Sequence, residues 1–81
     1  MKLVLVEWVD SQRRSANWAP VTEVAKPRRG GLRCCSVGWV VHDTKDAVVL
    51  MPNITDDGDD MQCVHGLEIP KCSITRMRRL K

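Results

Sequence analysis

The chain has 81 residues, a hydrophobic fraction of 43%, a charged fraction of 28% and a net charge of +3. This length allows a single domain over residues 1–81, and the composition excludes a wholly disordered chain. No apolar run approaches the roughly 20 residues of a membrane span, and Glu7 interrupts the N-terminal run too early for a secretion signal, so we expect a cytoplasmic protein without membrane contact.

The first predicted element is a β-strand over residues 2–10. Its apolar residues lie on both sides, with Val4, Val6 and Trp8 on one side and Leu3, Leu5 and Val9 on the other. Such a pattern is typical of a strand that is covered on two faces or that lies in an interface. A chain this short also buries only about 60–65% of its extended surface. We therefore expect the protein to self-associate as a homo-oligomer.

Residues 11–31 are predicted to form an irregular loop with one helical turn between Pro20 and Ala25. Guanidinium groups bind phosphates in a bidentate manner, and an indole offers a face on which a base stacks. The sequence therefore predicts a site for an anionic ligand, formed by Arg13, Arg14, Trp18, Arg28, Arg29 and Arg33. Two alternatives stay open: Trp18 covers the open end of the hydrophobic core, and the basic residues form a solvated surface.

Strands over residues 32–42 and 47–51 are predicted to form a hairpin around a polar turn at residues 43–46. The first of these strands alternates in polarity. The side predicted to face the core consists of Cys35, Val37, Trp39 and Val41. Gly38, in the middle of this strand, predicts a bulge or a sharp bend.

The last third of the chain begins with an acidic loop at residues 55–61, which we expect to be mobile. A weaker strand at residues 62–69, a tight turn at 70–73 and a strand with a basic outer face at 74–80 follow. Five short strands with closely spaced turns predict an all-β fold, a small five-stranded barrel with a long first loop. The residues predicted to share its core are Val37, Trp39, Val41, Val49 and Ile74.

A bent glycine strand, a polar turn and a second apolar strand follow one another after Ser36, and two isoleucines flank a later turn. The residues are Val37-Gly38-Trp39-Val40-Val41, Asp43-Thr44-Lys45-Asp46, Val48-Val49-Leu50, and Ile69 with Ile74. In this pattern the chain resembles the SH3-like barrels, and among them the Sm-like proteins. The resemblance implies a small barrel. It carries over no RNA-binding residues, because the aromatic residues of the Sm-like RNA-binding loops are missing here.

Four further features concern the whole chain. They are a strand that ends in Trp8-Val9-Asp10, a loop with Trp18, the segment Ser36-Val37-Gly38-Trp39 and the turn Ile69-Pro70-Lys71. In these features the chain is similar to short proteins of bacteriophages. The resemblance implies a small accessory protein in the host cytoplasm, from a group that includes inhibitors of bacterial defence.

Neither metal binding nor catalysis is predicted. A Cys-x-His pair on a strand, here Cys63 and His65, directs both side chains to one face, and Cys72 with Cys34 or Cys35 could complete a metal site. Zinc sites, however, usually contain cysteines separated by two to four residues. Free, mostly buried thiols are the simpler interpretation. No phosphate loop or dinucleotide motif is present, and the acids at 56–60 suit a solvated loop better than acid–base chemistry. We expect no enzyme, no metal and no cofactor.

The leading hypothesis is a non-enzymatic protein that captures an anionic partner, a nucleotide signal or a nucleic acid, through its basic loop and thereby counters host defence. The alternative is an inhibitor or adaptor that binds a host protein. It would use an exposed strand edge at residues 2–9 or the acidic loop. A third hypothesis is a structural component of a particle.

Overall fold

The chain forms a mostly β structure, which a computed structural model describes for residues 1–11, 17–25, 31–55 and 58–81. The strands are β1 (Leu3–Asp10), β2 (Leu32–Asp43), β3 (Ala47–Met51), β4 (Asn53–Ile54), β5 (Cys63–Val64), β6 (Leu67–Pro70) and β7 (Ile74–Arg79). One short helix, α1, covers Val21–Val24, and 3-10 turns cover Gly58–Asp60 and Lys71–Ser73. Within the described ranges, no helix is long and apolar enough to cross a membrane.

Five strands form one antiparallel sheet in the order β6-β3-β2-β1-β7, while β4 and β5 pair only with each other. The predicted all-β class and the five-stranded sheet are thus confirmed. The alternation of residues 2–10 and the β-branched run at 47–51 gave strands close to the observed bounds. β1 lies between β2 and β7, so the free strand edge predicted at residues 2–9 is wrong.

The sheet is strongly curved, because its two edge strands are consecutive in the chain. Only the 3-10 turn Lys71–Ser73 connects the end of β6 to the start of β7. A 3-10 path from Pro70 to Ile74 covers about 8 Å, whereas the edges of a flat five-stranded sheet lie about 19 Å apart. Irregularities in register between Glu7 and Trp8 and between Val40 and His42 help the strands to bend. No pairing joins β6 to β7 in the described part of the chain, so the sheet is curved but not closed.

The hydrophobic core lies on the enclosed side of this curved sheet. Its buried members are Val4, Val6, Val48, Leu50 and Ile69. Trp8, Val40 and Ile74 pack against them from partly buried positions. The register explains the cluster, since Val40 lies opposite Leu50 and Val48 lies opposite Ile69.

The predicted core face of β2 is wrong. Val37 and Val41 are 49% and 39% exposed, and of the five predicted core residues only Ile74 packs against the core. The core side of β2 contains Ser36 and Gly38 instead, which lie opposite Val6 and Val4. A Cβ at Gly38 would lie 3.1 Å from the Met51 carbonyl oxygen and 3.3 Å from the Leu50 Cβ. Where β2 lies beside Val4 and Val6, the enclosed side of the sheet therefore takes small residues, and hydrophobicity alone points to the other side.

Two further expectations need correction. A bulge or a sharp bend is predicted at Gly38, whereas the register irregularity of β2 lies between Val40 and His42. The single strand predicted over residues 62–69 is divided into β5 and β6, because His65 has a φ of 63° and turns the chain between them. The tight turn at residues 70–73 is present as a 3-10 turn, in which the Ser73 hydroxyl donates to the Pro70 carbonyl at 2.9 Å.

Candidate functional site

The candidate site is a groove of about 400 Å³ at the end of the sheet where β1 and β2 meet the start of β7. Its lining residues are Glu7, Trp8, Val9, Arg33, Cys34, Cys35 and Thr75. The antiparallel register places them together, since Val9 lies opposite Arg33 and Glu7 opposite Cys35. The Thr75 hydroxyl donates to the Glu7 carbonyl at 3.1 Å and ties β7 to β1 at this point.

One wall of the groove is held in place by a hydrogen bond across the sheet. The Trp8 indole Nε1–H donates to Ser36 Oγ at 3.0 Å, between partly buried side chains on β1 and β2. Because Trp8 also packs against the core, its ring has little freedom to rotate. The groove therefore combines a fixed aromatic wall with exposed polar residues at its mouth.

The segment at residues 11–31 begins and ends beside this groove. Asp10 and Leu32 are paired across β1 and β2, so the chain leaves and re-enters the sheet at neighbouring positions. Gly31 has a φ of 67°, and a Cβ there would lie 2.5 Å from Val9 Cγ1. Only glycine fits at this return point, which brings the segment back against the groove wall.

Of the six residues predicted to bind an anion, two are described. Arg33 is exposed and lines the groove. Trp18 is 105% exposed, so the alternative in which it covers the core is wrong. The structure does not place Trp18 in the lining of the groove. The other four predicted residues, Arg13, Arg14, Arg28 and Arg29, lie outside the described residues.

Sequence reasoning missed most of the groove lining. Glu7, Cys34, Cys35 and Thr75 come from three different strands, and their proximity follows from strand pairing alone. One signal was present in the sequence, because Glu7 is the only charged residue in the apolar run from Leu3 to Val9. Such a charge indicates that this position of the strand is open to solvent, because charged side chains are rarely buried without a partner.

Opposite charges line the groove without an ion pair between them. Among the described residues the one ion pair is Lys71 Nζ to Asp43 at 2.7 Å, where the hydrogen bond from Lys71 lowers the pKa of Asp43. Glu7 and Arg33 do not take part in an ion pair there. Both side chains thus remain available to a ligand.

The cysteines and histidines form no converging cluster. All four cysteines are free, as expected, but Cys35, Cys63 and Cys72 are exposed, so the expectation of mostly buried thiols is wrong. β5 ends before His65, so the expected Cys63–His65 pair does not share a strand face. No group of three or more His, Cys, Asp or Glu side chains is placed to hold a metal ion within the described ranges.

Comparison with known proteins gives no relative: no family model, curated protein or solved structure matches this chain. The chemistry of the groove follows from its own side chains. A guanidinium at the mouth binds phosphate or carboxylate oxygens. The Glu7 carboxylate accepts hydrogen bonds from N–H groups such as the exocyclic amines of bases. These groups suit a polar ligand that has both an anionic end and donor groups.

Proposed function

We propose that this chain is a non-enzymatic binding protein that captures a phosphate-bearing ligand with a base, a nucleotide or a single nucleic-acid strand. The ligand is held between the Arg33 groove and the basic segment at residues 11–31. One observation carries the proposal: Trp18 is fully exposed, in an arginine-rich segment whose two ends lie at the groove.

The exposure of Trp18 matters because burying a large side chain of this kind stabilises a fold by about 1.5–3 kcal/mol. In this chain that contribution is not used for folding. An exposed indole in an arginine-rich segment is a stacking surface, worth about 1–3 kcal/mol per base. A guanidinium–phosphate contact adds about 1.5–3 kcal/mol as a charge-assisted hydrogen bond. The groove volume of about 400 Å³ also lies within the range of small-ligand sites.

The proposal extends to the fold and the setting. We infer that the curved sheet is an SH3-like barrel, which the short connection between the two edge strands supports. We propose that the chain is a short bacteriophage protein, as the features around Trp8, Trp18 and Trp39 suggest, with an accessory role in the host cytoplasm. There, a protein that holds a nucleotide signal or a nucleic-acid strand would keep that molecule from the host's defence.

The experiment is a titration with mononucleotides and a short single-stranded oligonucleotide at low salt, followed by tryptophan fluorescence and melting temperature. Trp18→Ala and Arg33→Ala should each weaken binding, as should the paired replacement of Arg13 and Arg14 or of Arg28 and Arg29. The matched control is Arg79→Ala, an exposed arginine on β7 outside the groove lining, which should leave binding unchanged.

Three results would count against the proposal. The first is that neither ligand changes the fluorescence or the melting temperature of the wild-type chain. Alternatively, Arg79→Ala could weaken binding as much as Arg33→Ala, which would show that net charge and not the site attracts the ligand. Thirdly, Trp18→Ala could leave the fluorescence response intact, which would place the ligand elsewhere. A response to the oligonucleotide but not to mononucleotides would identify a nucleic-acid strand as the partner.

A second candidate function is binding to a host protein. The observation in its favour is that the outer edges of β6 and β7 pair with no strand in the described structure. Such edges accept an added strand from a partner. The salt dependence of the binding affinity distinguishes the two functions. Phosphate contacts weaken steeply as ionic strength rises, whereas binding by strand addition does not.

A further inference from the structure

Of the two edges of the five-stranded sheet, β7 is the better suited to accept another strand. It pairs with β1 on one side, and in the described part of the chain no strand pairs with its other side. Every residue of β7 after Ile74 is exposed. β6, at the other edge, has only four residues and ends in Pro70, which lacks a backbone N–H. β7 has six residues without a proline and therefore offers the longer row of unpaired backbone groups.

Two arginines of β7 lie on the side of the sheet that faces away from the core, which we call the outer face. Arg76 lies opposite Glu7 and Arg78 lies opposite Leu5. Residues directly opposite each other on paired strands share a face, in a curved sheet as in a flat one. Glu7 and Leu5 alternate along β1 with Val6, which belongs to the core. Neither arginine takes part in an ion pair with another described residue, so the outer face of β7 presents two unpaired positive charges at alternate positions.

The residue between these two arginines is apolar and lies on the core side. Met77 is opposite Val6, which is fully buried, yet Met77 itself is 41% exposed. The exposure follows from the position of β7, which has a neighbouring strand on one side only. A strand added at this edge would bury Met77 further if it placed an apolar side chain beside it.

We propose that the free edge of β7 binds an extended acidic peptide of a partner protein by strand addition. The peptide has acidic residues at two alternate positions, which lie beside Arg76 and Arg78 on the outer face. The residue between them is apolar and lies beside Met77 on the core side. Main-chain hydrogen bonds to the edge supply affinity, and the alternating side chains supply specificity. Opposite charges on neighbouring strands stabilise the pairing.

The chemistry of the edge disfavours two other occupants. The β7 strand of a second copy would bring arginine beside arginine, and charged edges of this kind prevent copies of one protein from pairing. A nucleic-acid strand offers phosphate oxygens, which accept hydrogen bonds but donate none to the carbonyl groups of the edge. A peptide has both donors and acceptors. Since Arg76, Met77 and Arg78 do not line the groove, the proposal stands whether or not the groove binds a nucleotide.

The first test is binding of a short labelled peptide of alternating glutamate and valine to the full wild-type chain, by fluorescence anisotropy at about 0.15 M salt. One control peptide has the same composition with its glutamates grouped at one end, and a second alternates lysine with valine. We expect the alternating glutamate peptide to bind about tenfold more tightly than either control. No binding of this peptide would overturn the proposal. Equal binding of the lysine peptide would also overturn it, because the edge would then accept strands without selecting acidic ones.

The second test reverses one charge of the edge. Arg78→Glu should weaken binding of the alternating glutamate peptide by about tenfold and strengthen binding of the lysine peptide. Lys45→Glu is the matched control, because it changes the net charge equally and lies in the exposed turn between β2 and β3. If Lys45→Glu weakened binding as much as Arg78→Glu, net charge would account for the affinity and the proposal would be wrong.

The third test distinguishes strand addition from attraction between charges alone. Two versions of the alternating glutamate peptide are methylated on the backbone nitrogens, one at its glutamates and the other at its valines. Only alternate residues of an added antiparallel strand hydrogen-bond to its neighbour, so we expect one version to bind and the other to lose binding. Equal affinities of the two versions would contradict strand addition. Displacement of the unmethylated peptide by a single-stranded oligonucleotide of equal charge would assign the edge to a nucleic acid instead.

Discussion

The two faces of the sheet make different contributions to stability, and a pair of identical substitutions measures them. Val48→Ala and Val37→Ala each shorten the side chain by two carbon atoms. Val48 is fully buried in the core, whereas Val37 is 49% exposed on the outer face. The pair therefore compares burial alone, with side-chain chemistry held constant.

The expected magnitudes follow from burial. Each buried methylene equivalent contributes about 0.8 kcal/mol to the free energy of unfolding, so full burial of two contributes about 1.6 kcal/mol. The cavity left at Val48 raises the loss in the free energy of unfolding to about 2–3 kcal/mol. At Val37 about half of the transfer contribution applies and no cavity forms, so the loss is about 0.8 kcal/mol. For a domain of this size, these losses lower the melting temperature by about 10–20 °C and about 3–6 °C.

Thermal unfolding followed by circular dichroism tests this difference, at a protein concentration too low for self-association. Urea unfolding provides the free energies independently. If Val37→Ala lowered the melting temperature as much as Val48→Ala, the assignment of the core to the other side of β2 would be refuted.

Two other predictions concern single positions. Asp43→Asn should lower the melting temperature near neutral pH, because the hydrogen bond from Lys71 lowers the pKa of Asp43 in the folded state below its ordinary value of 3.8. The contribution of Asp43 to the free energy of unfolding is complete above pH 3.8 and is lost as the pH falls through the lowered pKa. The melting temperatures of wild type and variant, plotted against pH, should therefore converge in acid. A constant difference between them at all pH values would exclude this contribution. Gly31→Ala should cost about 2–4 kcal/mol, because it combines a positive φ with a clash against Val9, whereas Gly58→Ala, which has a similar φ and open space, should cost about 1–2 kcal/mol. Equal losses in urea unfolding would show that the contact with Val9 is unimportant.

The sequence predicted the strands well where their chemistry is local. The β-branched run at residues 47–51 and the alternation over residues 3–10 each specify a strand by themselves. The core side of β2 was not predictable in the same way. It depends on the curvature of the whole sheet, which leaves space only for Gly38 and Ser36 beside Val4 and Val6. Curvature comes from strand order and a short connection, neither of which is visible in the hydrophobic pattern.

The candidate site was predictable only in part. The arginines and Trp18 stood out through composition, and Arg33 does line a groove. Its neighbours Glu7 and Thr75 are 26 or more residues away in sequence and meet Arg33 only through the pairing of β1 with β2 and β7. Long-range register of this kind is set by the packing of the sheet. A single sequence gives little information about it.

The most direct measurement of the central claim is the affinity of the wild-type chain for a short single-stranded oligonucleotide at about 50 and about 200 mM salt, by fluorescence anisotropy. For two to three phosphate contacts, we predict that affinity falls roughly 7–20-fold over this range. The Arg33→Ala variant should show a smaller fall, because one contact is missing. Binding that does not change with salt, or no binding at low salt to the oligonucleotide or to mononucleotides, would contradict the claim that this protein captures a phosphate-bearing ligand.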